Sequence, residues 1–219
     1  MSKKIIMIGN GNYADTIQYY IETLTDWELC AFADEFVEGK NSTHKGLTFV
    51  NIELMPKLYP NTEYEVVIGV GYHNMNANRK RIYEKIKAMN YKMPNLIHPT
   101  AILNDLEMGD ANIILENCVF EPRAKIGSDI IIWSAVLIGH DTFIADHSHF
   151  AAVSMIAGNC KVGEGCFLGN HVTVKDGAEL APYTLVGAGA YVSKDTKPYD
   201  VVVPARSVVL EKYKSNDLI

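Results

Sequence analysis

A chain of 219 residues, 48% hydrophobic and 21% charged, can bury a sizeable core and has room for two small domains. Its formal net charge of −6 argues against a nucleic-acid or anionic-membrane partner. No apolar run approaches the roughly 18 residues that span a bilayer, and Ile5–Ile8 runs into glycine too early for a signal peptide, so a cytoplasmic protein is expected.

The first hundred residues alternate strand and helix patterns. Lys4–Ile8 is a continuous apolar strand ending in Gly9-Asn10-Gly11-Asn12, and a helix is predicted over 13–24. Residues 27–33 read as a second strand closing in Asp34-Glu35, and a polar loop over 39–45 leads to a strand at 47–50. A short helix over 52–58, a buried strand over 64–70 and a helical stripe through Ile82, Tyr83, Ile86 and Met89 complete the set. This order predicts a small parallel sheet of Rossmann-like type over residues 1–97. Ligands of such sheets lie beyond the carboxyl ends of the strands, where Gly9–Asn12, Asp34-Glu35 and Gly69–His73 converge. Glycines let backbone approach a phosphate, and the helix N-terminus that follows favours anions. The third glycine of the dinucleotide fingerprint is missing, so Gly9-x-Gly11 alone is a weak signal.

After His98 the period changes to six. Ile102, Met108, Ile114, Phe120 and every sixth residue to Val192 are large and apolar, without insertion or deletion. Six fits neither the 3.6 period of a helix nor the alternation of a half-buried strand. It fits a solenoid of short strands and turns, in which three hexads close one triangular coil of eighteen residues and the repeating side chains fill the axis. Each such side chain contributes roughly 1.5–3 kcal/mol when fully buried. A solenoid domain is expected over 98–206 and a tail over 207–219. Cys118, Cys160 and Cys166 share the small inward phase and Cys30 lies in a predicted strand, so all four read as small core hydrophobes. No CxxC spacing suggests zinc.

His140 falls two residues past the core Ile138, at an outward corner, with Asp141 beside it. His149 lies nine residues, half a coil, further on and therefore on the opposite side of the prism. The two imidazoles cannot share a pocket within one chain, so a site using both requires an oligomer, most simply a threefold ring.

The motifs Ile138-Gly139-His140-Asp141, Asp146-His147-Ser148-His149, Ala157-Gly158-Asn159 and Phe167-Leu168-Gly169 resemble those of a bacterial sugar acyltransferase family. That family includes the UDP-4-amino-sugar N-acetyltransferases and the sialic-acid O-acetyltransferase-like proteins. The segments Asn78–Tyr83 and Val203–Arg206 are similar as well, so the likeness covers nearly the whole chain. It implies an α/β Rossmann-like domain followed by an all-β left-handed parallel β-helix (hexapeptide repeat), assembled as a homotrimer with active sites between subunits. It further implies acetyl-CoA as co-substrate, no metal, and a nucleotide-linked amino sugar as acceptor. By this resemblance His140 is the general base, assisted by Asp141; His149 contacts the thioester end of acetyl-CoA and the Gly158 N–H meets the acetyl carbonyl. Arg206 pairs with a phosphate of the coenzyme. Gly9, Asn10, Gly11, Asn12 and Gly71, with Asp34 and Glu35, hold the nucleotide sugar.

The chemistry agrees with this placement. An imidazole titrates near working pH and can take the proton of an attacking amine, and a backbone N–H can meet the developing oxyanion. Transfer to a hydroxyl would use the same groups, so O-acetylation is the runner-up. A γ-carbonic-anhydrase-like hydratase shares the solenoid, but His140, His147, His149 and His171 show no matching triplet spacing. His147 and His171 are expected to face solvent or a neighbouring subunit. Trp133 occupies a phase where small residues are frequent and is expected on a sugar or at the subunit seam. The loop Gly71–Asn76 is longer than the resemblance leads one to expect.

Overall fold

The computed structural model describes residues 2–37, 42–207 and 209, and in these it is built of two units sharing one buried seam. The N-terminal unit comprises β1 (Lys4–Ile8), α1 (Asn12–Leu24), β2 (Glu28–Asp34), β3 (Ser42–His44), β4 (Leu47–Asn51), α2 (Met55–Leu58), β5 (Tyr64–Ile68) and α3 (Ala77–Ala88). The sheet order is β3-β4-β2-β1-β5, parallel except for the β3–β4 hairpin. β1 lies between β2 and β5, and its run Ile5–Ile8 is buried throughout, as expected of a parallel strand covered on both faces. Sequence reading missed β3, whose three polar-leaning residues carry no strand signal of their own. The helix expected over 52–58 is a 3-10 turn, Ile52–Leu54, running into α2, with Asn51 capping its start through the Glu53 N–H at 3.0 Å.

From Leu96 the chain winds into a parallel β-helix of two-residue strands stacked on three faces. The coils are left-handed. Face one carries strands at 96–97, 113–114, 131–132, 149–150, 167–168, 185–186 and 201–202. Face two carries 119–120, 137–138, 155–156, 173–174 and 191–192; face three carries 107–108, 125–126, 143–144, 161–162 and 179–180. From Glu107 to Val192, strands one coil apart pair with a register of eighteen, for example Ile131 with His149 and Leu137 with Met155; the end pairs differ, Leu96 with Ile113 and Leu185 with Val201. The six-residue repeat fills the axis from Ile114 to Val192, with the small phase (Cys118, Ala124, Ser148, Cys160, Cys166) buried beside it.

Ile102 is a correction. It is 54% exposed and bridges Val119, so its pairing is seventeen residues instead of eighteen. A one-residue slip turns a strand's side chains over, and Ala101 and Leu103 pack on the core in its place.

Each corner turns through a residue with positive φ. Between 111 and 189 these recur every six residues, and glycine supplies only Gly165, Gly177 and Gly189. Arg123, Asp129, Asp141 and His147 hold this left-handed position with φ of 64, 59, 57 and 61°. Corner side chains eighteen apart therefore stack in columns, which becomes important at the site.

Face one is covered by the N-terminal unit. Ile113, Leu115 and Leu96 share a buried cluster with Ile17 and Ile21 of α1 and with β1. Trp133, from the same face, meets Tyr13 of α1 edge-on with centroids 6.0 Å apart. It is half-buried there and also borders a cavity between the two units. The loop expected over 39–45 overlaps residues 38–41, and the tail from 207 onward, apart from Ser207 and Val209, lies outside the described residues. No helix among the described residues is long and apolar enough to cross a membrane.

Candidate active site

Gly9 turns the chain after β1 at φ +96°, a conformation that favours glycine. Gly11, which precedes α1, offers no capping side chain, so the helix's first N–H groups remain open toward the cleft. Gly9, Asn10, Gly11, Asn12, Asp34 and Gly71 line one cavity of about 470 Å³, together with Tyr72 and His73. Asn10 and Asp34 also line an adjoining cavity of about 420 Å³ walled by Phe36, Val37, Ser42 and Phe49. Six of the seven residues expected here are thus brought together at the carboxyl ends of β1, β2 and β5. Glu35 is the exception. Its carboxylate is held by Arg81 at 2.6 Å and Lys85 at 3.0 Å, both from α3, and the Arg81 hydrogen bond keeps its pKa below the usual value. Only Asp34 faces the cleft, with one oxygen accepting the Phe36 N–H at 3.1 Å.

Tyr72 connects this cleft to a third cavity, about 380 Å³, between the two units. Tyr72, Trp133, His149 and Phe167 wall it, and its floor is small: Ala151, Gly169 and Ala188 among others. His149 is 1% exposed, so it is no surface residue. Its ring stacks on Phe167 (5.0 Å, 16°) and meets Tyr72 at 4.8 Å. Burial, and next the charge of Arg79, push its pKa down to about 3. The imidazole is therefore neutral at physiological pH, and its Nδ1 has no hydrogen-bond partner among the described residues.

That depressed value has a sign. The unfolded chain takes up this proton near pH 6.5 while the folded chain refuses it until about 3. Stability contributed by neutral His149 is complete above pH 6.5 and declines as pH falls, by up to about 1.4 kcal/mol per unit. Urea titrations of wild type and His149→Gln between about pH 6.5 and 4.5 check this. The variant is expected to show the shallower slope; equal slopes would refute the linkage.

His140 stands on the turn joining face two to face three, the corner opposite the face that holds His149. Its side chain is 47% exposed. Nδ1 lies 2.8 Å from Asp141 Oδ2, and its backbone N–H donates to Glu121 at 2.9 Å. Asp141 also accepts a two-pronged bond from Arg123, at 2.6 and 2.7 Å. First the Arg123 bond and then the His140 bond hold its carboxyl well below the usual range. The other edge of the ring lies over Gly158, one coil on, where a methyl carbon would fall 2.6 Å from Nε2. The Gly158 N–H makes no hydrogen bond among the described residues. Gly158 has an ordinary φ, so alanine is compatible with its backbone. Gly158→Ala is accordingly expected to keep the wild-type melting temperature within a few degrees while pushing the ring aside. A 1 Å misplacement costs about 10²-fold in rate, which a thiol-release assay reads.

Sequence reading also missed a buried network. Arg79 of α3 and Asp129 form an ion pair at 2.8 Å, with side chains 1% and 0% exposed. Arg79 donates to the carbonyls of Ile68 and Val70 at 2.7 and 2.9 Å, at the end of β5 beside the cleft. His147 Nδ1 lies 2.9 Å from the second Asp129 oxygen, and Asn76 donates to the His147 carbonyl at 2.8 Å. His147 is 6% exposed and so faces neither solvent nor a neighbour. The long 71–76 loop is explained here: Asn74, Met75 and Asn76 all take positive φ, carrying Tyr72 over His149 and Asn76 onto the β-helix. His171 is exposed, and Arg206 is exposed beyond the last strand, apart from all three cavities. Among the described residues no group of His, Cys, Asp and Glu side chains is placed to hold a metal ion.

A Rossmann-like unit with an open glycine-lined cleft, mounted on one face of a left-handed β-helix, is an architecture shared with solved acetyltransferase structures. Residues 4–86 match the family model described as the PglD N-terminal domain. A mutant of perosamine N-acetyltransferase from Caulobacter crescentus, in complex with CoA and GDP-perosamine, superposes with a TM-score of 0.81 at 21% identity, over 92% of this chain and 93% of that one. The acetyltransferase domain of PglB from Neisseria gonorrhoeae, in complex with acetyl coenzyme A, gives 0.78 at 20% identity over 93% and 97%. The acyl-[acyl-carrier-protein]–UDP-N-acetylglucosamine O-acyltransferase of Thiobacillus denitrificans is 32% identical over 101 residues, 43% of this chain and 39% of that protein. The chain spans two fifths to one half of the length of such curated relatives.

Proposed function

We propose that this protein is an acetyl-CoA-dependent N-acetyltransferase acting on the amino group of a nucleotide-linked amino sugar, in the cytoplasm. The observation that carries the reading is the corner imidazole: His140 is exposed, aimed by Asp141 through Nδ1, and laid with Nε2 over bare backbone at Gly158. In the reaction the acceptor nitrogen attacks the thioester carbonyl and the C–S bond breaks. His140 Nε2 takes the amine proton and returns it to the departing thiolate, while the Gly158 N–H meets the oxyanion. The nucleotide occupies the cleft lined by Gly9–Asn12, Asp34 and Gly71, and Tyr72 leads from there toward His149. Arg206 pairs with a coenzyme phosphate.

His140 and His149 lie on opposite sides of one β-helix, so a site using both is completed by a second copy in a homotrimer. The O-acyltransferase relatives favour a second reading, transfer to a sugar hydroxyl. The test is free-thiol release from acetyl-CoA with UDP-, dTDP- and GDP-linked amino sugars, each paired with its hydroxy counterpart. Turnover confined to an amino acceptor supports the first reading, turnover confined to a hydroxyl acceptor the second. Thiol release with neither would discard both.

A further inference from the structure

Arg123 sits one coil before Asp141, in the same corner column, and both residues take the left-handed turn conformation. The register of eighteen places the guanidinium directly against the carboxylate. Nε reaches Asp141 Oδ1 at 2.6 Å and the second prong reaches Oδ2 at 2.7 Å. Arg123 is itself held at its root, where its N–H donates to Asp105 at 2.8 Å. A planar fork fixes a carboxylate's orientation as well as opposing its charge, which a lysine ammonium does not do.

We infer that Arg123 is a positioning residue for acyl transfer, acting through Asp141 to fix the plane of the His140 ring and to limit how strongly that ring holds a proton. The inference rests on the reading of His140 as base. The carboxylate that aims Nδ1 would, if unopposed, stabilise the imidazolium and hold back the proton that must reach the leaving thiolate. With Arg123 on its other side, Asp141 keeps its aim and gives up part of that electrostatic pull. The remaining charges at this corner are few. Glu121, in the preceding coil, accepts the His140 backbone N–H. Asp105, Glu107 and Lys125 share a cavity of about 430 Å³ with Arg123 and Asp141 on the face-three side. The following coil presents Gly158 and Asn159, neither of them charged, with Asp176 a further coil on.

Arg123→Gln and Arg123→Lys, each in the wild-type and Asp141→Asn backgrounds, test this through pH profiles of kcat and kcat/KM. Without the guanidinium the unopposed carboxylate favours the protonated ring, so the acidic limb moves to higher pH. For Arg123→Gln that upward movement is expected together with a several-fold fall in kcat and a KM within about twofold. Lysine is expected to restore the limb, since it restores the charge, and to recover kcat only in part. In the Asp141→Asn background Arg123→Gln is expected to add no shift. An unmoved limb, an equal shift without Asp141, or a change confined to KM would each overturn the role of Arg123. His140→Ala is run alongside: if it keeps wild-type transfer, the reading of His140 has failed, whereas an inactive His140→Ala beside an unaltered Arg123→Gln removes Arg123 alone.

Discussion

His140→Ala is expected to lower kcat for acetyl transfer by 10²–10⁴-fold, the range supplied by a positioned general base. The fold should survive, because the ring is half exposed and its polar contact among the described residues is with Asp141. An unchanged melting curve beside a collapsed rate is the expected pair of results. A rate within a few-fold of wild type would remove His140 from the chemistry. The same variant tests the assembly. His149 lies on the opposite face, so in the proposed trimer, mixed assemblies of His140→Ala and His149→Gln subunits would contain some sites with both imidazoles intact. Random assembly gives roughly a quarter of sites. Recovery toward that fraction supports an intersubunit site, and no recovery from two folded variants argues for a site within one chain.

Asp129→Ala is expected to produce the largest loss of stability, about 3–5 kcal/mol, because it leaves the Arg79 charge buried and unpaired. For a chain of this size that is a fall of roughly 6–20 °C in melting temperature. His147 loses its Nδ1 partner in the same variant, and the hold of Arg79 on the Ile68 and Val70 carbonyls is weakened. The effect should therefore reach the cleft as a raised KM for the nucleotide sugar. The double change Arg79→Met with Asp129→Leu removes both charges together, and buried pairs replaced in this way often lose little. Recovery of part of the lost stability in the double variant is the expected result. A melting temperature unchanged by Asp129→Ala would show that water reaches the pair.

What was legible in the sequence depended on which interactions are local or periodic. The hexad pattern announced the solenoid because each coil repeats the same short-range demand for an apolar axis residue, a small neighbour and a tight corner. The cleft residues were legible for a similar reason: the ends of parallel strands fall on one edge whatever the rest of the chain does. The corner position of His140 and its separation from His149 followed from phase arithmetic alone. The same arithmetic, applied at steps of eighteen to the corner residues, would have found Arg123 against Asp141 and Asp129 against His147.

Other features were decided only in three dimensions. Ile102 has the right type at the right spacing, yet the first strand enters one residue out of register, and nothing local records that slip. Glu35 lost its place in the cleft to Arg81 and Lys85, cations that α3 delivers from far along the chain. Trp133 and His147 sit at phases that point outward, yet His147 is buried and Trp133 half-buried because the N-terminal unit lies on that outward surface. By itself the sequence determined the two units, the β-helix period and the corner imidazole, since these arise from repeating short-range packing. The tertiary structure decided which charges are buried and which aromatic rings wall the cavity between the units, because those depend on one unit docking against the other.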